Sequence, residues 1–258
     1  MIESCVPPTS ADRDRWVRIA ARNNATWCDA VCRAHGVPGS FDDHVWASAR
    51  RTPPLYPDAV TLTPEASAAE LLPRVDTRSP GCSVKDSFAR LNLASAGFEV
   101  LFEAQWIHRP AGATAPVPTA DVRWDVVRDD KDLATWAAAW SGEPAGSVRD
   151  DTAQRRPDNG PFRSELLADD GTFFLRGRRG DTVVAGAVAS PEGPVVGLSN
   201  VFAADGDPRG AWAGALATVA SRWAGKAVVG YESGADLEAA VGHGCLPIGP
   251  LRVWWRAG

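Results

Sequence analysis

Glu232 and His243 have the side-chain types of general bases, since a carboxylate or an imidazole can take a proton from a reacting group directly or through water. Glu232 follows Tyr231 at the end of an expected strand, and His243 sits between Gly242 and Gly244. A second group is the run Arg209-Gly210-Ala211-Trp212-Ala213-Gly214, placed after Asp207 and Pro208 where a helix is expected to begin. Unpaired N–H groups and the helix dipole attract phosphate to such an end, and small residues let it approach the backbone. Trp212 crowds that approach, and Asp205 and Asp207 place negative charge where an anion would arrive. A third group, Cys28 and Cys32 with His35 and His44, has the ligand types of a zinc site. Structural zinc sites use tighter knuckles, and small cysteines on the buried face of a helix account better for that spacing. No hydrolase elbow, phosphate loop or dinucleotide fingerprint is present.

The elements that must hold these residues belong to an ordinary globular composition, 45% hydrophobic and 23% charged. The formal net charge of −5 and arginines scattered singly or in pairs argue against a nucleic-acid partner. No uncharged stretch approaches the roughly 18 apolar residues of a membrane span, and the first residues do not read as a secretory signal. Five cysteines in a long chain suit a reducing cytoplasm better than a disulfide framework. The 11 tryptophans sit mostly at helical or strand spacing, which marks them as core volume.

Periodicity predicts a long first helix carrying Trp16, Ile19, Ala20, Trp27 and Val31, ending towards Gly36 and Pro38. A short strand over His44–Ser48, a strand over Ala59–Thr63, a helix over Pro64–Val75 and strands at Ser83–Phe88 and Phe98–Trp106 follow. The stretch from Pro110 to Thr119 is small, uncharged and Pro-rich, and reads as a linker. This divides the chain into 1–110, a linker over 111–120, and 121–258. The second part reads as a strand at Val122–Val127, a helix through Leu133, Trp136 and Trp140, and a loop over Ser141–Pro161. Strands at Thr172–Arg176, Val183–Ala189 and Val195–Phe202 come next, then a helix over Pro208–Trp223 capped by Asp207. The chain closes with a strand at Ala227–Tyr231, a short helix opened by a Ser233–Asp236 capping box, and a strand around Leu251–Trp255. The class is α/β (α+β), a mixed β-sheet flanked by helices.

Two segments echo each other. Val84–Phe88, Gly97-Phe98, Trp106 and Arg109 parallel Val229–Glu232, Gly244-Cys245, Trp254 and Arg256. Before them, Ala59–Thr63 with Ala66–Val75 parallels Gly197–Phe202 with Ala211–Ala224. One duplicated unit, with its first copy shortened, explains both parallels.

The block from Val183 to Trp255 resembles the C-terminal part of the GNAT acyl-CoA-dependent N-acyltransferases, on the pieces Val195–Phe202, Asp205–Gly214, Ala227–Tyr231, Leu237–Val241 and Gly244-Cys245. The resemblance implies a tandem GNAT-like protein with a truncated first half, acetyl-CoA as cofactor, and a small-molecule or protein amine as acceptor, bound between the halves near Ser141–Pro161. It implies that backbone groups of Val201, Phe202 and Ala203 pair with the pantetheine arm. Arg209, Gly210, Ala211 and Gly214 would hold the pyrophosphate. The family's loop reads Arg or Gln, two variable residues, Gly, one variable residue, then Gly or Ala, so Trp212 stands in place of a glycine. Ala240 stands where many members carry a tyrosine acid, leaving Glu232 or His243 to move the proton. The competing reading, to which Trp212 and Ala240 point, is a non-catalytic GNAT-like module that has lost the cofactor and binds a ligand or protein.

Overall fold

In the computed structural model, which describes residues 9–142 and 160–257, the first helix, α1, runs Ser10–Ala34. Thr9 and Asp12 close a capping box at its start, and Gly36 at φ +68° turns the chain out of its end. Its buried face carries Val17, Ala20, Ala21, Asn24, Trp27, Cys28 and Val31, a helical stripe that needs a sheet beneath it.

That sheet begins with β1 (Ser40–Phe41), β2 (Val45–Ala47) and β3 (Ala59–Thr61), joined antiparallel. The expected helix over Pro64–Val75 is reduced to one α-turn, α2 (Ala68–Leu71), and a 3-10 turn at Leu72–Arg74. Pro73 is the cause, because a proline has no N–H to continue the ladder. β4 (Cys82–Asp86) then pairs parallel to β3, and β5 (Glu99–Arg109) follows. Residues 111–120 carry no helix or strand.

The rest of the chain follows the expected order: β6 (Arg123–Val126), α3 (Asp130–Ser141), β7 (Phe173–Arg179), β8 (Thr182–Glu192), β9 (Val195–Ala203), α4 (Pro208–Arg222), β10 (Ala227–Glu232), α5 (Gly234–Gly242) and β11 (Leu246–Arg256). The loop expected over Ser141–Pro161 falls mainly on residues 143–159, outside the described residues. Ser233 stands at the N-cap of α5 but makes no side-chain cap bond, so the expected capping box does not form. β11 starts five positions before the expected Leu251, at Leu246, because its early residues pair with β5 rather than ending in a turn.

Among the described residues all strands join one 11-stranded sheet in the order β1-β2-β3-β4-β11-β5-β10-β9-β8-β7-β6. β11, last in the chain, is inserted beside β4, and β5 is inserted beside β10. Outward from the β11/β5 pair, each side runs antiparallel, then parallel, then antiparallel. The two segments that echo each other in sequence therefore occupy matching places.

Alternation along β10 separates two packed layers. Val229 joins Val17, Ala20, Trp106 and Leu251 beneath α1, whereas Val228 joins Leu198, Trp212, Leu216 and Ala240 beneath α4 and α5. Trp46, Trp106, Trp136 and Trp212 are all fully buried. Among the described residues no helix is long and apolar enough to cross a membrane.

Candidate active site

β9 and β10 start as parallel neighbours, with Ala227 opposite Val195, Val228 opposite Val196 and Val229 opposite Gly197. Beyond these pairs they part: Leu198–Ala203 and Gly230–Glu232 run on without pairing to each other. β10 stays in line because β5 holds it as far as Glu232 opposite Gln105. β9 is the strand that leaves. Its pairing with β8 skips a position between Ser199 and Phe202, and Asn200 at φ 53° takes the left-handed conformation that asparagine tolerates. Such a bulge bends its strand. Gly230 marks the vertex, since a Cβ there would lie 2.6 Å from the Leu198 carbonyl oxygen.

Val201, Phe202 and Ala203 line the departing stretch, all half-buried. The Phe202 ring packs edge-on against Trp136, centroids 5.1 Å apart, and Val201 packs with the layer under α4. Among the described residues their backbone on the β10 side has no strand partner, so this edge can pair with an extended amide-bearing ligand.

Glu232 is the last residue of β10 and lies on the α4/α5 side, near Asp236 and Cys245. Its carboxyl is pushed up to about 8, by burial first and by the Asp236 charge second. At neutral pH it carries its proton. It is therefore an acid there, and becomes the base expected from the sequence only at higher pH. Asp236 is also raised by burial, and burial lifts the Cys245 thiol to about 12.

His243 is placed elsewhere. Its Nε2 lies 2.9 Å from the Arg209 carbonyl oxygen, and its own carbonyl accepts from Arg109 Nε at 2.9 Å, which ties α4, α5 and β5 together. Arg209 points the same way: a Cβ on Gly242 would lie 3.2 Å from its guanidinium. The cation thus sits at the C-terminal end of α5, where the helix dipole favours it.

The start of α4 is closed by the chain itself. The Gly210 N–H donates to Asp207 Oδ1 at 2.9 Å, the Asp207 N–H donates to Asp205 Oδ1 at 3.2 Å, and Asp205 pairs with Arg179 at 3.1 Å. Pro208 has no N–H to offer. Ala211 and Gly214 are buried, and a side chain on Gly214 would collide with Trp124. Trp212, fully buried, fills the layer that also holds Leu198, Leu237, Ala240 and half-buried Val201. The free edge of β9 fits a pantetheine-like arm. The end of α4 does not fit a pyrophosphate, because the Gly210 N–H is engaged, Pro208 offers none, and the carboxylates of Asp205 and Asp207 already stand there.

Sequence reasoning missed Asn200 and Gly230, the residues that open the wedge. A glycine and an asparagine within strand-like runs were the available signals.

No family model matches the sequence, and no curated protein matches it. Solved structures do. A GCN5-related N-acetyltransferase from Kribbella flavida aligns over 93% of this chain and 96% of its own, with a TM-score of 0.59 and 14% identity. An acetyltransferase of the GNAT family from Novosphingobium aromaticivorans aligns over 97% and 100%, with a TM-score of 0.53 and 12% identity. A conserved protein of unknown function from Staphylococcus epidermidis aligns over 70% and 73%, with a TM-score of 0.52 and 11% identity. The chain has the GNAT fold, and the expected mixed sheet flanked by helices is correct.

Proposed function

We propose that this GNAT-fold chain transfers an acyl group from a thioester to an amine at the parting of β9 and β10, with Glu232 as the proton-carrying residue. The observation that carries this reading is a half-buried carboxyl, raised to about 8, at the end of the strand that borders a free β edge. Perturbed acids in such places are functional candidates. In the transfer the C–N bond forms, the C–S bond breaks, and a proton must reach the departing sulfur. Protonated Glu232 supplies that proton, taking the place left by Ala240. The amine's proton leaves to solvent.

The donor's nucleotide is not gripped at α4, where Asp207 holds the helix end. Donor recognition accordingly rests on the pantetheine-like arm. We also read the molecule as two tandem halves, 1–110 and 121–258, that exchange β5 and β11. The acceptor, a small-molecule or protein amine, would enter between them.

The second reading, binding without turnover, is favoured by the fully buried Trp212. Turnover of acetyl-CoA and of acetyl-pantetheine with a mixture of primary amines separates the two. Turnover lost in Glu232→Gln supports the enzyme, and a folded protein inert to both donors supports the binding module.

A further inference from the structure

β5 outruns β10. The two strands pair from Val228 opposite Arg109 to Glu232 opposite Gln105, and there β10 ends. Toward its own start β5 continues through Ala104 to Glu99 with β11 along one edge, where Trp255 lies opposite Glu99. Among the described residues the other edge of that stretch has no strand partner. Nor is the stretch covered: residues 99–103 are all exposed, with Val100 at 46%, Leu101 at 55% and Phe102 at 39%, and Trp255 beside them is exposed as well. Gly234, at φ +54°, turns the chain aside just after Ser233. An exposed apolar edge of this kind is a template for another strand.

Position and charge define the strand that fits. A strand laid on this edge lies in line with β10, and its first place, opposite Ala104, is one residue beyond Glu232. Strand residues advance about 3.3 Å each, so its near end reaches the Glu232 carboxyl and the parting of β9 and β10. A strand that runs antiparallel to β5, in the direction of β10, puts its amino terminus at that end. A second copy of the same run fits poorly. Antiparallel pairing about Leu101 sets Glu99 against Glu103, Arg252 offsets only Glu103, and like charges directly opposite repel. A basic side chain opposite Glu99 and apolar ones opposite Val100, Leu101 and Phe102 complement the edge instead.

The chemistry of the site selects the same end. Glu232 carries its proton at neutral pH, and His243 Nε2 is held by the Arg209 carbonyl, so neither takes a proton from an incoming amine. The acceptor must therefore arrive as free base. An α-amine, of ordinary pKa about 8, is free base at neutral pH in roughly one molecule in ten, and a lysine amine, at about 10.4, in fewer than about one in a thousand.

We propose that residues 99–104 of β5 dock the acceptor, an extended peptide with a free amino terminus and apolar and basic side chains, which adds as a strand antiparallel to β5 and delivers its α-amine to Glu232. This rests on the acyl-transfer reading, and the step is the one written there. The α-amine forms the C–N bond, the C–S bond breaks, the Glu232 proton goes to sulfur, and the amine's proton leaves to solvent. Main-chain pairing gives such a peptide its affinity, and the alternate side chains its specificity.

The test is calorimetric titration of the full chain with the peptide amide Ala-Lys-Val-Thr-Val-Lys, without any acyl donor. Saturable binding is expected, with Kd raised roughly fivefold in each of Leu101→Asp and Glu99→Lys. Both side chains are exposed, so neither change disturbs the core. Acetyl-pantetheine is then added, and mass spectrometry of the peptide is expected to place the acetyl group on the α-amine and not on lysine. No binding by the folded protein, the same Kd in both variants, or acetyl on lysine overturns the proposal. A dimer of the full chain that dissociates in Leu101→Asp gives the edge to a second copy and also overturns it. Binding weakened in the variants, with no acetyl transferred to any amine, upholds the docking edge and sinks the acyl-transfer reading. Turnover of small amines without peptide binding does the reverse.

Discussion

The N–H of Gly210 donates to the carboxylate of Asp207 at 2.9 Å, so the helix that would receive a phosphate is capped by its own chain. Asp207 stands in a network with Asp205 and Arg179, whose guanidinium is already paired with Asp121 and Asp205. Asp207→Ala is expected to cost about 1 kcal/mol of stability, the usual worth of an N-cap. The same change frees a donor and removes a like charge, so it should tighten acetyl-CoA binding in calorimetry. Unchanged or weaker binding by a folded variant would show that Asp207 is not the obstacle.

The Arg209 guanidinium lies against Gly242 at the end of α5, and the Arg209 carbonyl meets His243 Nε2. Arg209→Glu should therefore lower the melting temperature while leaving turnover of acetyl-pantetheine unchanged. A selective loss of acetyl-CoA turnover in that variant would restore a phosphate-binding role to Arg209.

Glu232 makes stability depend on pH with a defined sign. Its folded-state value is raised from 4.5 to about 8, so the folded protein keeps a proton that the unfolded chain releases. The associated stability is fully present below about pH 4.5 and is lost as pH rises to about 8. Glu232→Gln removes that loss. Denaturant midpoints of the two proteins should converge at low pH, and the variant should be the more stable above pH 8. Parallel midpoints across this window would mean that the carboxyl is ionised throughout.

Trp212 is core volume, and among the described residues its indole N–H has no partner. Trp212→Ala is expected to cost about 3–5 kcal/mol, as for other buried aromatics, while Trp212→Phe, which keeps most of the volume and removes the orphan donor, should cost far less. Urea denaturation checks both. A small cost for the alanine variant would mean that the side chain swings out and the layer beneath α4 is open.

Much of the architecture was legible. The order of elements from β6 onward follows directly from hydrophobic periodicity and from Asp207 and Pro208 at the start of α4. The insertion of β11 between β4 and β5 was not legible, because pairs such as Trp254 with Val84 join residues too far apart in sequence for any local pattern to register. Pro73 was enough to shorten α2, yet the apolar spacing around it masked the break. Ser233 had the right type for a cap but makes no side-chain cap bond. At the site, Glu232 was visible as a strand-end carboxylate, whereas its protonation depends on burial and on Asp236, which only the folded chain brings together. Lys85, in the run Cys-Ser-Val-Lys-Asp, looks like an ordinary surface lysine until α1 is laid over it.

Acyl transfer by this chain is expected to depend on Glu232 and not on a gripped nucleotide. The most direct measurement compares turnover of acetyl-pantetheine and acetyl-CoA by the full chain with an amine mixture, alongside Glu232→Gln. Comparable rates with the two donors, both lost in the variant, are expected. A strong preference for acetyl-CoA, or activity retained in Glu232→Gln, would rule out Glu232-dependent transfer without nucleotide recognition.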